Sequence, residues 1–185
     1  MSATRRSLLI GTPALIAAAL FQLPAARAAS ARQISSDADR ALRTLYAIQP
    51  KARELGKTAT AILIFPRIVK AGFMIGGQSG NGVLRVGGKT AGYYNISAAS
   101  FGFQAGAQTF SYAMFFMNAS AVGYLQKSDG WSIGSGPSVV IVDKGAAASI
   151  TSTTLTKDVY AFPFGQQGLM AGIGLEGSKI THINP

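Results

Sequence analysis

Apolar residues recur at spacings of three and four along residues 33–49, which is the periodicity of an amphipathic helix. The apolar face consists of Ile34, Ala38, Ala41, Leu42, Leu45 and Ile48. Arg40 and Arg43 fall on the opposite face, so the predicted helix is basic on its outer side. Pro50 ends this helix and favours the start of a second, short helix over residues 51–57.

From residue 61 onwards the pattern changes to short runs of β-branched and aromatic residues that are separated by glycines. Residues 61–65 predict a buried strand, which Pro66 is expected to end because proline has no N–H to donate. Residues 67–70 are then predicted to turn the chain, and Phe73 to start the next strand. The remaining predictions are strands at 83–86, 90–96, 138–142 (central and buried), 159–164, 169–175 and 179–183, an extended segment at 101–117 that is long for one strand, a short helix at 119–127, and hairpin turns at Asn81-Gly82 and Gly87-Gly88.

The order of these elements indicates the fold class. Helices come first and strands fill most of the remaining chain, which is typical of an α+β or barrel fold. Small residues alternate along residues 101–108, and this alternation lets a sheet curl tightly. We therefore predict N-terminal amphipathic helices packed on a strongly curled, mostly antiparallel β-sheet or a small β-barrel, in a single domain over residues 29–185.

Residues 1–28 have the pattern of a bacterial export signal. Arg5-Arg6 precede an apolar run at residues 8–21, and a small-x-small cleavage site follows. The arginine pair resembles a twin-arginine signal. We expect cleavage near Ala28 and a periplasmic mature protein. The alternative is an uncleaved anchor, although the apolar run is short for a bilayer.

The composition is strongly basic and lacks cysteine. The chain has 17 Lys and Arg against 7 Asp and Glu, a formal charge of +10, and residues 1–28 hold only three of the arginines. This excess indicates an anionic partner, either a membrane surface or nucleic acid. The cations are scattered singly among apolar residues, which disfavours nucleic acid. The absence of cysteine excludes disulfides, thiolate nucleophiles, Cys-ligated metals and a cysteine-linked lipid anchor.

Candidate catalytic residues do not form a recognisable set. His182 is the only histidine and lies near the C-terminus, so we predict neither a Ser–His pair nor a histidine metal site. Asp129, Asp143 and Asp158 each lie alone beside a turn or strand end, where aspartates commonly cap. The GxGxxG pattern at 172–177 lacks the following helix that binds a dinucleotide. We therefore predict no enzymatic activity, no cofactor and no metal.

Four motifs in the second half of the chain and around Pro66 are specific when taken together. They are FPRIVKAGF at residues 65–73, GPSVV at 136–140, YAF followed by GQQGL within 160–169, and GIGLEGSKI at 172–180. In order and spacing they resemble the SYLF domain family, from about residue 38 to the C-terminus. The resemblance implies a lipid-binding module that uses an amphipathic N-terminal segment and a basic surface. Eukaryotic members bind phosphoinositides, and some bind actin filaments, but an exported chain would meet neither ligand.

The resemblance also implies a set of binding residues. The lipid-binding cations are expected at Arg40, Arg43, Lys51, Arg53, Lys57, Arg67 and Lys70. The residues expected to insert into the membrane are Ile34, Leu42, Leu45 and Ile48. The same apolar stripe is predicted to pack on the sheet, so insertion would require the helix to swing out about Gly56 or the break at Pro50.

The predicted function is non-enzymatic binding of an anionic phospholipid surface. The alternative is a structural or scaffold protein of the cell envelope, whose basic face binds a protein or a polymer. A third interpretation is a small barrel that holds one lipid tail beside Met74, Met114 and Met117, unless these methionines only fill gaps in the core.

Overall fold

The computed structural model describes residues 30–73, 75–101, 106–127, 129–143, 156–168, 175 and 177–185. The predicted export signal at 1–28, Met74, and most of the predicted strand at 169–175 and of the glycine motif at 172–177 lie outside these residues. The described part contains three helices and eight strands, which form a strongly curled half-barrel sheet with helices packed on it. The predicted α+β fold is therefore confirmed.

The two N-terminal helices follow the predicted periodicity. Helix α1 spans Ala31–Ile48 and begins two residues before the predicted start, because Ser30 is its N-cap. The Ser30 Oγ accepts a hydrogen bond from the Gln33 N–H at 3.3 Å, as N-cap serines commonly do. Helix α2 spans Pro50–Thr58, with the proline in the first turn. Backbone N–H groups of the first turn have no partner within the helix, so proline costs no hydrogen bond there.

The strands and the third helix follow in chain order. Their bounds are β1 Ala61–Phe73, β2 Ile75–Val86, β3 Lys89–Phe101, β4 Gly106–Phe116, α3 Ala119–Lys127, β5 Trp131–Ser132, β6 Val139–Ile141, β7 Val159–Gly168 and β8 Lys179–Ile183. The strand order is β5-β8-β3-β2-β1-β4-β7-β6. Neighbouring strands are antiparallel, apart from the parallel pair β6 and β7.

One face of the sheet packs on one buried apolar cluster, and the other face packs on two. The first cluster includes Phe65, Tyr112 and Phe116 together with residues from both edges of the sheet, such as Trp131, so it lies inside the curl on the concave face. The second face packs against α1 and α2. Its contacts are formed by Ile64, Val83, Ala113, Phe115 and Phe162 with Ile34, Ala38, Leu45 and Leu55 of the helices. We call this the convex face.

Pro66 does not end the first strand, so the predicted turn at 67–70 is wrong. Strand β1 continues to Phe73, and the chain reverses between Phe73 and Ile75, which pair with each other. Phe65 pairs with Tyr112 and Ile68 with Phe110, so Pro66 and Arg67 together oppose the single residue Ser111. This arrangement is a β-bulge, which is one of the few sheet positions that tolerate proline.

The predicted hairpin at Asn81-Gly82 is also wrong, because β2 runs straight through it. A Cβ on Gly82 would lie 2.6 Å from Cδ1 of Phe65, so glycine is needed here for close packing across the curled sheet rather than for a turn. The predicted Gly87-Gly88 turn is confirmed, with φ of 56° and 78°.

Two further predictions change in detail. The segment 101–117 is divided: β3 ends at Phe101, and β4 begins at Gly106 on the other side of the β1–β2 pair. The predicted central strand at 138–142 is the three-residue strand β6 at an edge of the sheet, and its residues are half-buried. The predictions of a helix at 119–127 and a strand at 179–183 are confirmed without change.

Asp158 joins three elements at one end of the sheet. Its carboxylate accepts hydrogen bonds from the Ser138 N–H at 2.8 Å, the Ser138 hydroxyl at 2.7 Å and the Asn118 amide at 2.8 Å. Asn118 in turn accepts a bond from the Ala121 N–H at the start of α3. The hydrogen bonds from Ser138 and Asn118 lower the pKa of Asp158, because they stabilise the ionised carboxylate.

We expect Asp158→Asn to lower the free energy of unfolding by about 1–2 kcal/mol at neutral pH, since hydrogen bonds to a charged acceptor are lost. The folded-state pKa is lowered, so this stabilisation is present above the unfolded pKa of about 3.9 and is lost as the pH falls through the folded value. Urea unfolding at pH 7 and pH 3 measures both effects. The exposed Asp129→Asn is the control, and an equal loss in both variants would contradict the assignment.

Candidate functional site

The β1 bulge and helix α1 form a cleft on the convex face. Its volume is about 370 Å³, and its lining includes Asp37, Arg40 and Thr44 of α1, Pro66 and Arg67 of β1, and Phe164 and Gly165 of β7. Arg40 and Arg67 are both exposed. Two cations that are 27 positions apart in the sequence therefore meet at one cleft, because the bulge turns Arg67 towards the helix.

A second irregularity, in β7, extends this cleft into a groove. Thr109 pairs with Gln167 and Ser111 with Phe164, so the register of β4 and β7 shifts around Gly165, whose φ is 64°. Gly165 also lines two neighbouring depressions of about 410 and 460 Å³. The first adjoins Arg67 and the second adjoins Ile48. The groove therefore runs from Arg67 to the C-terminal end of α1.

The predicted cations on the helices differ in their pairing. Arg40 is 3.1 Å from Asp37, and Lys51 is 2.8 Å from Glu54. The hydrogen bond and charge of Lys51 lower the pKa of Glu54, so the Glu54 carboxylate stays ionised at neutral pH. Such exposed pairs contribute little to stability. Arg43 is exposed and forms no ion pair with another described residue.

Arg53 and Lys57 of α2 are also exposed, on the second helix. Both are close enough to an ionisable group to change its pKa. The charge of Arg53 acts to lower the pKa of Tyr46, and the charge of Lys57 acts to lower the pKa of Glu54. Burial nevertheless raises the pKa of Tyr46, since that effect is larger than the opposing charge of Arg53. The helical surface is therefore basic but partly balanced by its own acidic residues.

Lys70 does not join this surface. It pairs with Gln78 on β2 and Gln108 on β4, both of which are buried on the concave face. Lys70 is half-buried beside them. Arg67 and Lys70 were predicted as one basic group at a turn, but β1 continues through both of them. Residues three apart in a strand point to opposite faces, so the two cations are separated.

The apolar residues predicted to insert into a membrane are mostly in the core. Ile34 is 3% exposed and Leu45 is 0% exposed, while Leu42 is half-buried. Ile48, at 51% exposed, is the one of the four that solvent reaches freely. Insertion of Ile34 and Leu45 thus remains a prediction for a helix that has left the sheet.

Three contacts hold α1 in place. The Ser35 Oγ lies 3.0 Å from the Tyr93 hydroxyl, and Arg85 donates to Asp39 at 2.8 Å. At the junction with α2, Tyr46 fills the space above Gly56, where a Cβ would overlap the tyrosine hydroxyl. Gly56 therefore has a packing role, in addition to being one of the predicted hinge positions.

Sequence reasoning missed a group of exposed apolar residues on β1 and β2. Val69 is 43% exposed, Phe73 is 73% exposed and Ile75 is 68% exposed. The only signal in the sequence is the apolar run Phe73-Met74-Ile75 between glycines, and this pattern also fits an ordinary strand start. In addition, no Asp or Glu occurs between Glu54 and Asp129, a segment that includes β1 to β4.

The concave interior, where a lipid tail was predicted beside the methionines, is packed with large side chains. Met114 is fully buried in the concave cluster, whereas Met117 packs on the helix-facing cluster, so these two methionines do not line one chamber. Tyr112 is fully buried beside Phe110, with 5.6 Å between ring centroids, and its hydroxyl has no hydrogen-bond partner among the described residues. Burial strongly raises the pKa of this phenol.

The described residues contain no cluster of three or more His, Asp or Glu side chains that could hold a metal ion. His182 lies in β8 and packs edge-on against Tyr94, with ring centroids 5.4 Å apart. None of the described helices combines the length and hydrophobicity that a transmembrane span requires.

We expect Tyr112→Phe to leave the free energy of unfolding unchanged or to raise it by up to about 1 kcal/mol, because it removes a buried hydroxyl without a partner. Tyr160→Phe is the matched control. The Tyr160 hydroxyl accepts a bond from the Lys157 N–H at 3.2 Å, so its loss should destabilise by about 0.5–1.5 kcal/mol. Urea unfolding compares the two, and a clear destabilisation by Tyr112→Phe would show that its hydroxyl has a partner.

Comparison with known proteins supports the family resemblance. A family model described as "Ysc84: Las17-binding protein actin regulator" matches residues 97–184, which include the end of β3 and the chain through β8. The SYLF resemblance predicted from the sequence motifs is confirmed by this match. The comparison with curated proteins gave no match.

Proposed function

We propose that this chain, a member of the SYLF domain family, binds anionic phospholipid surfaces through its convex face and without catalysis. The observation that carries the proposal is the meeting of Arg40 and Arg67 at one exposed cleft, beside exposed apolar side chains. A basic surface with apolar residues next to it matches both components of a bilayer interface, the anionic headgroups and the acyl region.

The charges alone supply a weak interaction. Each cation near an anionic surface contributes about 1 kcal/mol. Arg40, Arg43, Arg53 and Arg67 together would give roughly 4 kcal/mol, which corresponds to about millimolar binding. The long segment without acidic residues keeps this attraction from being offset on β1 to β4. Useful affinity therefore requires apolar contacts in addition to the charges.

We further propose that the protein acts in the periplasm, after export by the signal at residues 1–28. The paired arginines, the apolar run and the cleavage site support this location. The anionic lipids available there are of the phosphatidylglycerol and cardiolipin class, rather than phosphoinositides.

A protein or polymer of the cell envelope is the second candidate ligand. The matched family model is named for binding a protein, Las17, and for actin regulation, which favours a protein-binding surface in the family. An exported chain would not meet actin, so the partner would be a different one. Such a partner would bind with a saturable stoichiometry in the absence of lipid, whereas lipid binding would follow the anionic lipid content and weaken with salt.

The test is co-sedimentation of residues 29–185 with liposomes of increasing phosphatidylglycerol content. We expect the triple variant Arg40→Gln, Arg43→Gln, Arg67→Gln to bind about a hundredfold more weakly, since three cations contribute about 3 kcal/mol. The matched control is Lys89→Gln, Lys127→Gln, Lys157→Gln, which removes the same charge elsewhere.

The outcomes separate the candidates. Binding that the control retains and the triple variant loses supports the convex face. Equal loss in both variants would mean that only net charge matters, which contradicts a defined surface. If the wild-type chain sediments with no liposome at any anionic content, the lipid proposal is wrong and pull-downs from envelope extracts test the protein candidate.

A further inference from the structure

We propose that the end of the β1–β2 hairpin is the part of the protein that enters the bilayer, and that helix α1 stays packed on the sheet. This inference rests on the proposed lipid-binding function and names the element that supplies its apolar contacts. The hairpin end is defined by Val69 and Phe73 of β1 and Ile75 of β2.

These side chains are exposed because of the residues around them. Phe73 and Ile75 are directly paired, so they project from the same side of the hairpin. The next pair on that side is Ala71 with Gly77, which is too small to cover them. Phe73 is 73% and Ile75 68% exposed as a result, which is unusual for two large apolar residues at adjacent positions.

The hairpin end lies on the same side of the sheet as the cationic cleft. Ile68 and Lys70 face the concave side, so Val69 and, two and four residues further, Ala71 and Phe73 face the convex side. Arg67, which is in the bulge two residues before Val69, lines the convex cleft. A bilayer that contacts Arg67 and Arg40 would therefore also meet the apolar hairpin end.

A bilayer fits this surface better than a second copy of the chain. The three side chains expose on the order of 300 Å² of apolar surface, compared with about 800 Å² per partner in a stable protein interface. Two copies meeting here would also bring their Arg67 and Arg40 cations together, and β1 to β4 offer no acidic residue to neutralise them. An anionic headgroup layer supplies the opposite charge.

The hairpin also requires less rearrangement than the helix. To insert Ile34 and Leu45, α1 would have to break the contacts of Ser35 with Tyr93 and of Arg85 with Asp39, and expose the sheet beneath. Phe73 and Ile75 are exposed in the folded protein, so no contact of the core is lost when they leave water.

The first experiment compares two variants of residues 29–185 on phosphatidylglycerol liposomes. We expect Phe73→Ser with Ile75→Ser to bind at least about tenfold more weakly and to lose the binding that survives high salt. Ile48→Ser is the matched control, since Ile48 is the exposed member of the helical apolar set, and we expect less than a twofold change. Because these side chains are exposed, circular dichroism and thermal unfolding should show unchanged folding in both variants.

The second experiment uses the absence of cysteine in the chain. Ile75→Cys and Ile48→Cys are each labelled with an environment-sensitive fluorophore and mixed with liposomes that contain brominated lipid. We expect quenching of the label at position 75 and not of the label at position 48.

Each outcome is decisive. Quenching at position 48, alone or together with 75, would overturn the inference in favour of helix insertion. Liposome binding without quenching at either position would overturn it while leaving the proposed function intact. If the wild-type chain binds no liposome, the proposed function fails and the inference fails with it. A concentration-dependent dimer in size-exclusion chromatography that Phe73→Ser with Ile75→Ser abolishes would show that the hairpin end binds a second copy instead.

Discussion

The β-bulge at Pro66 and Arg67 determines which side chains each face of the central sheet presents. Before it, the odd-numbered residues Leu63 and Phe65 face the concave core. The extra residue reverses the alternation, so Ile68 takes the next core position and the odd-numbered residues that follow face outward. Without the bulge, Val69 and Phe73 would point into the curl and Lys70 would point to the convex side.

This reversal links the stability of the core to the chemistry of the surface. The Ser111 hydroxyl donates to the Pro66 carbonyl at 2.7 Å, which satisfies a backbone group that the bulge takes out of the strand pairing. Arg67 is turned towards helix α1 and joins Arg40, while the apolar residues beyond it are left uncovered. The cationic cleft and the apolar hairpin end therefore share one cause.

The sequence predicted the elements whose pattern is local, and missed those that depend on a partner strand. Helix α1 has its full periodicity within 18 residues, so its existence and its buried side could be predicted. Pro66 is equally consistent with the end of a strand and with a bulge, and only the register of β1 against β4 distinguishes them. Gly82 likewise looks like a turn glycine, but a Cβ there would overlap the Ile64 carbonyl and the Phe65 ring of the neighbouring strand, so its role is close packing.

The same limit applies to the candidate site. The exposed cations Arg40 and Arg43 of α1 could be predicted because they lie opposite the apolar stripe. Arg67 and Lys70 are separated because β1 continues past Pro66, and this continuation could not be predicted. The apolar stripe of α1 is consistent with two hypotheses, because packing on a sheet and insertion into a bilayer need the same residues. Burial of Leu45 shows which of the two holds in the folded protein.

The edges of the described sheet have a consequence for a protein that collects on a surface. Strands β5 and β6, at the two ends of the strand order, are two and three residues long. These two strands themselves offer few backbone groups for pairing with a strand of another molecule. Copies that collect side by side on one vesicle would therefore find little strand to pair with at β5 or β6.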